Sequence, residues 1–120
     1  MTHLEFVTEK SKEINKFTDE KLNELKDSLQ EINVKTFSDN QFSSYTFDIM
    51  RKKYNEALNF VNTISVPKNM LINIGGISFN HPDDLVYFSL QSEVSKRYKE
   101  FDTLYHECLE RYASEHKQES

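Results

Sequence analysis

Pro67-Lys68-Asn69-Met70-Leu71-Ile72-Asn73-Ile74-Gly75-Gly76-Ile77-Ser78-Phe79-Asn80-His81-Pro82 holds every glycine and proline of this 120-residue chain, two of each. Pro and Gly are the residues that most strongly interrupt helices. Everything outside this stretch is therefore free to run as long helices. Inside it, two apolar runs flank Gly75-Gly76, a pair suited to the positive φ of a two-residue hairpin turn. With Ile74 opposite Ile77 and Ile72 opposite Phe79, the apolar residues share one face. A hairpin over 70–79 follows, and because two strands alone are marginal, that face is expected to lie against helix ends.

Working outward, Pro82 suits a first helical turn, and Asp83 and Asp84 complement the helix dipole there. Tyr87, Leu90, Val94, Phe101, Leu104, Tyr105, Cys108 and Tyr112 recur at helical spacing, predicting one helix over 83–114 and a frayed polar tail over 115–120. On the other side, Ser38 and Gln41 have capping-box spacing between Phe37 and Phe42, which opens a helix over 39–64. Its apolar residues, Met50, Tyr54, Ala57 and Phe60 among them, cover about half the helical circumference and mark it as the most buried helix. The first helix, 3–33, starts at a Thr2–Glu5 cap. It carries Leu4, Val7, Ile14, Leu22, Leu25, Leu29 and Ile32 on a narrow stripe whose missing rungs are Ser11 and Thr18. The predicted fold class is mainly α: an elongated three-helix bundle, one domain, with a β-hairpin inserted between the second and third helices.

The chain carries 15 Lys and Arg against 20 Asp and Glu, for a net charge of −5. That balance disfavours nucleic acid and anionic membrane as partners. Nine Phe and six Tyr, without Trp, supply much of the apolar area. A single cysteine, Cys108, excludes an intrachain disulfide and fits a reducing compartment. No leader-like segment or membrane span is evident, so the expected location is cytoplasmic.

Candidate chemistry is sparse. His106 and Glu110 sit one turn apart, but a metal needs three or four converging ligands, and His116 is ten residues on. Cys108 points about 160° away from His106 by the helical period, so no local Cys–His pair forms. His81 beside Asp83 and Asp84 reads as a hairpin exit and helix cap. Gly75-Gly76 lacks the flanking signature of a phosphate loop. These residues predict no enzyme, no metal and no cofactor.

Two surfaces remain. Phe6 and Phe17 fall together about 200° from Leu4, opposite the stripe, and Phe88 is off the stripe of its own helix. Aligned rings on an outer face predict a partner surface made by Phe6, Phe17 and Phe88. Arg51 and Lys52, with Lys96 and Arg97, form two basic clusters flanked by Tyr54 and Tyr98, a candidate anion site. The leading expectation is a non-catalytic protein acting through another protein and through self-association, as an inhibitor, immunity protein or adaptor. The alternatives are a binder of a small anion such as a nucleotide, and a structural or chaperone-like subunit. The helix–hairpin–helix outline from residue 39 onward is similar to that of a small prefoldin-type chaperone subunit. The extra N-terminal helix and single short hairpin depart from it.

Overall fold

The computed structural model describes residues 2–66, 71–74, 77–80 and 83–118, and within these the side chains of 71–74, 77–80, 83–85 and 116–118 lie outside the description. Helix α1 spans His3–Gln30, where the Thr2 hydroxyl accepts from the Glu5 amide at 3.2 Å. It runs unbroken through Thr18, whose buried hydroxyl donates to the Ile14 carbonyl at 2.7 Å. A single 3-10 turn, Val34–Thr36, leads to helix α2, Asp39–Val61. The expected capping box is formed there: Ser38 Oγ accepts from the Gln41 amide, and Gln41 Oε1 from the Ser38 amide. Both orphan donors are thereby satisfied at the point where the chain reverses.

The third helical segment differs from expectation. Instead of one helix over 83–114 there are two, α3 (Asp83–Ser95) and α4 (Tyr98–Gln118). No proline or glycine causes the break. Ser92 Oγ donates to the Phe88 carbonyl at 2.9 Å and Ser95 Oγ to the Ser92 carbonyl at 3.2 Å, back-bonding that bends helices. The backbone then tightens to i→i−3 bonds, Arg97 to Val94 at 2.9 Å and Glu100 to Arg97 at 3.0 Å. The predicted three-helix bundle with an inserted hairpin is thus corrected to a body of four helices. Every residue of its described core but Ile64, which lies just past the end of α2, belongs to a helix. Four-residue segments Leu71–Ile74 (β1) and Ile77–Asn80 (β2) pair antiparallel, with Ile72 opposite Phe79 and Ile74 opposite Ile77. The expected Gly75-Gly76 turn, and the packing of an apolar strand face on the helices, lie outside the described residues.

Side-chain partners give the helix directions. Phe17 stacks on Phe60 with ring centroids 4.3 Å apart, and Lys21 bridges to Glu56 at 3.0 Å, so α2 runs antiparallel to α1. Arg97 reaches Asn15 and Asp19 while Arg111 reaches the carbonyls of Leu29, Gln30 and Ile32, so α4 runs parallel to α1. Arg111 also supplies a cation at the C-terminus of α1, whose last turn has no basic residue of its own. The core holds Phe42, Phe101, Ile14, Leu25, Met50, Leu90, Val61, Val86 and Val94, all fully buried.

Helix α1 buries a wider arc than its narrow stripe implies. Phe6 is 3% exposed, whereas Leu4 on the stripe is 73% exposed. Relative to Ile14, Phe6 and Phe17 lie about 60–80° to one side and Leu22 and Leu29 about 60–80° to the other. The first flank carries Phe17 onto α2, and the second meets α4. Helix α1 is clasped between neighbours, so both flanks are covered along most of its length. The expectation that Phe6 and Phe17 stand on an outer face is overturned.

Candidate functional site

Of the three rings expected to form a partner surface, only Phe88 is exposed, at 68%. Phe6 is core, and Phe17 is half-buried under the Lys21 ammonium, 5.1 Å from its ring centroid. The three do not make one surface.

The two basic clusters do not converge on an anion either. Arg97 is committed to the fold. Its Nε and Nη2 donate to Glu100 at 2.6 and 3.1 Å, its Nη1 to the Asn15 carbonyl at 3.1 Å, and Nη2 also to Asp19 at 2.5 Å. These carboxylates hold its pKa above the ordinary arginine value. Lys96 pairs with Glu93 at 3.4 Å on the solvent side. Arg51 lies over Phe47 of its own helix, its guanidinium 5.9 Å from the ring centroid, while Lys52, about 100° round the helix, lines a cleft shared with Ser28 of α1.

His106 and Cys108 part as the helical period requires. His106 is exposed and lies 3.4 Å from Asp102 through its Nε2. Cys108 is 5% exposed, and burial raises its thiol pKa. It lines a small cavity of about 140 Å³ between α1 and α4 with Leu29, Leu104 and Arg111. Among the described residues, no group of three or more His, Cys, Asp or Glu could hold a metal ion. Among them, too, no helix is long and apolar enough to cross a membrane.

The feature that sequence reasoning missed is the seam between α2 and α4. Antiparallel packing sets Ser43, Phe47 and Tyr54 of α2 beside Tyr105, Phe101 and Tyr98 of α4. Tyr105 reaches across, its hydroxyl 3.1 Å from Ser43 Oγ, and meets Phe47 edge-on at 5.6 Å. Along the same seam Tyr54 meets Tyr98 at 4.9 Å and the buried Phe101 at 5.4 Å, both edge-on. His106 adds a further ring 5.4 Å from Tyr105. Burial raises the Tyr54 pKa, with Tyr98 alongside adding to the rise and Arg51 opposing it. Phe47 remains 38% exposed and Arg51 is exposed above it, while the three tyrosines are half-buried. The rings are thus held from below by the core and from the side by one another, with one edge left to solvent. A clue lay in the sequence: Phe47, Arg51 and Tyr54 recur at i, i+4 and i+7, and Tyr98 and Tyr105 at i and i+7, each set being one helix face. The face is built of rings, with Arg51, His106 and the Ser43 hydroxyl at its margin. What it can do is present preordered aromatic area with a cation and an imidazole at its edge. Comparison with protein-family models, with curated proteins and with solved structures gives no match for the chain.

Proposed function

We propose that this chain is a non-catalytic protein-binding module, of the inhibitor, immunity or adaptor kind, whose contact surface is the aromatic face between α2 and α4. The observation that supports the reading is the composition and order of that face, two ring groups along one seam: Phe47 with Arg51, Tyr105 and His106, and Tyr54 with Tyr98. Tyr and Arg are the residues most enriched where binding energy concentrates at interfaces, and Phe is enriched there too. Rings already fixed by their neighbours lose little side-chain entropy on docking. The surface proposed from sequence at Phe6 and Phe17 is replaced by this one.

The test compares wild-type chain with an Arg51→Glu, His106→Glu double variant as bait in affinity purification from the native host, quantified by mass spectrometry. Both positions are exposed, so the variant is expected to melt with the wild type. A specific partner recovered by the wild type and reduced at least tenfold by the variant is the expected result. A Lys12→Glu control on the exposed side of α1 should recover the partner undiminished. Equal recovery by wild type and double variant would refute the proposal, and sedimentation of both proteins reports whether the partner is a second copy.

A further inference from the structure

On the flank of α2 facing away from the aromatic face, a cleft of about 470 Å³ opens between α2 and the end of α1. That volume lies within the range typical of small-molecule sites. Tyr45, Ile49, Lys52 and Lys53 line it from α2, at i, i+4, i+7 and i+8, and opposite them lie Ser28 of α1 and Glu31 and Ile32 just past its end. Its two ends differ in chemistry. Because the helices are antiparallel, Ile32 and Tyr45 lie together at one end and the two lysines at the other. The Tyr45 ring is held in place by stacking on Phe37 at 5.1 Å, yet Tyr45 as a whole is 46% exposed. The apolar end is therefore a preformed wall with a free face.

The charges near the lysine end sort themselves. Lys21 takes both nearby carboxylates, Glu24 at 2.9 Å and Glu56 at 3.0 Å, and its pKa is raised by them. Lys53 lies farther from the same two acids, 3.8 Å from Glu56 and acting on Glu24 only through space. Lys52 has no ion pair among the described residues and is exposed. The two ammonium groups thus border the cleft at the end away from Glu31, with Ser28 between, opposite Ile49. Glu31, at the close of α1, repels an anion from the apolar end and so sets which way round a ligand lies.

We infer that this cleft binds a small amphiphilic anion: an apolar ring or short chain against Tyr45, Ile32 and Ile49, bearing one carboxylate, sulfonate or phosphate directed to Lys52 and Lys53. The site shares Lys52 with the anion site expected from sequence but differs from it otherwise, since Arg97 and Lys96 take no part and Arg51 lies over Phe47. It is also independent of the aromatic face, so either reading can fail alone.

The experiment uses 1-anilinonaphthalene-8-sulfonate as the anionic probe and N-phenyl-1-naphthylamine, the same aryl body without the sulfonate, as its neutral counterpart. Fluorescence titration should show one anionic probe bound per chain, and amide shifts in nitrogen-15 NMR should cluster at Ser28, Ile32, Tyr45, Ile49 and Lys52. The neutral probe should bind about tenfold more weakly. Lys52→Gln should weaken the anionic probe by a similar factor, the scale of one lost charge-assisted hydrogen bond. Lys12→Gln, which removes the same charge at a distant exposed site, should leave it unchanged. Absence of binding, equal affinity for the two probes, equal effects of the two lysine substitutions, or shifts centred on the α1–α4 cavity would each overturn the inference.

Discussion

Replacing Arg97 tests what holds the bend between α3 and α4. The guanidinium crosses to α1, bonding the Asn15 carbonyl at 3.1 Å, Asn15 Oδ1 at 3.3 Å and Asp19 at 2.5 Å, while Glu100 grips it from its own helix. Its side chain is 19% exposed, but Asp19 and Glu100 are 62% and 50% exposed. Both carboxylates return to water when the arginine is lost, so the cost falls short of the 3–5 kcal/mol of a broken buried pair. It exceeds the roughly 0–1 kcal/mol of a surface pair, because the half-buried Asn15 carbonyl also loses a charged donor. Arg97→Met, which keeps the apolar stem, should therefore cost about 1.5 kcal/mol, a fall in Tm of roughly 4–8 °C. Urea denaturation measures the loss. A double-mutant cycle with Asp19→Ala should return a coupling of about 0.5–1 kcal/mol, and hydrogen exchange should accelerate at the amides of residues 94–100. A loss below about 0.5 kcal/mol, the level of ordinary surface substitutions, with exchange unchanged, would show that the serine-bonded backbone sets the bend without the arginine.

Phe6→Ala should destabilise the monomer by about 3 kcal/mol, as a buried ring does, while Leu4→Ser stays within about 0.5 kcal/mol; thermal or urea melts check both, and the opposite ranking would return the core to the narrow stripe. Cys108 gives a pH dependence. Burial raises its folded pKa, so above the unfolded thiol pKa of about 8.5 the unfolded chain has released a proton that the folded chain retains. Stability should then be level at lower pH and fall as pH rises through that value toward the folded pKa. Cys108→Ala should flatten this slope between about pH 8.5 and 9.5, before tyrosine ionisation enters, as read by urea midpoints across that window.

What the sequence made legible is local. The Ser38–Gln41 capping box, the unbroken course of α1 and the burial of Met50 and Ala57 each follow from residues within a few turns of one another. What it hid depends on neighbours. A stripe drawn from Leu4 assumes one contact side, but α1 lies between α2 and α4, so Phe6 and Phe17 are covered from a direction that α1 alone cannot reveal. The bend at residues 96–97 falls where Val94 and Phe101 keep a seven-residue spacing, so the apolar pattern passes through it without a mark. Its agents are polar: two serine back-bonds and an arginine whose partners lie about 80 positions earlier in the chain. The same blindness governs the candidate sites. Arg97 and Lys96 look like half of an anion site until Arg97 is seen spent on α1. Lys52 and Arg51, adjacent in sequence, point about 100° apart on the helix, which places one in a basic cleft and the other over an aromatic face. Adjacent in sequence and alike in charge, the two look like one cluster. The helix makes them members of two surfaces, and it is the antiparallel pairing of α2 with both α1 and α4 that gives each surface its opposing wall.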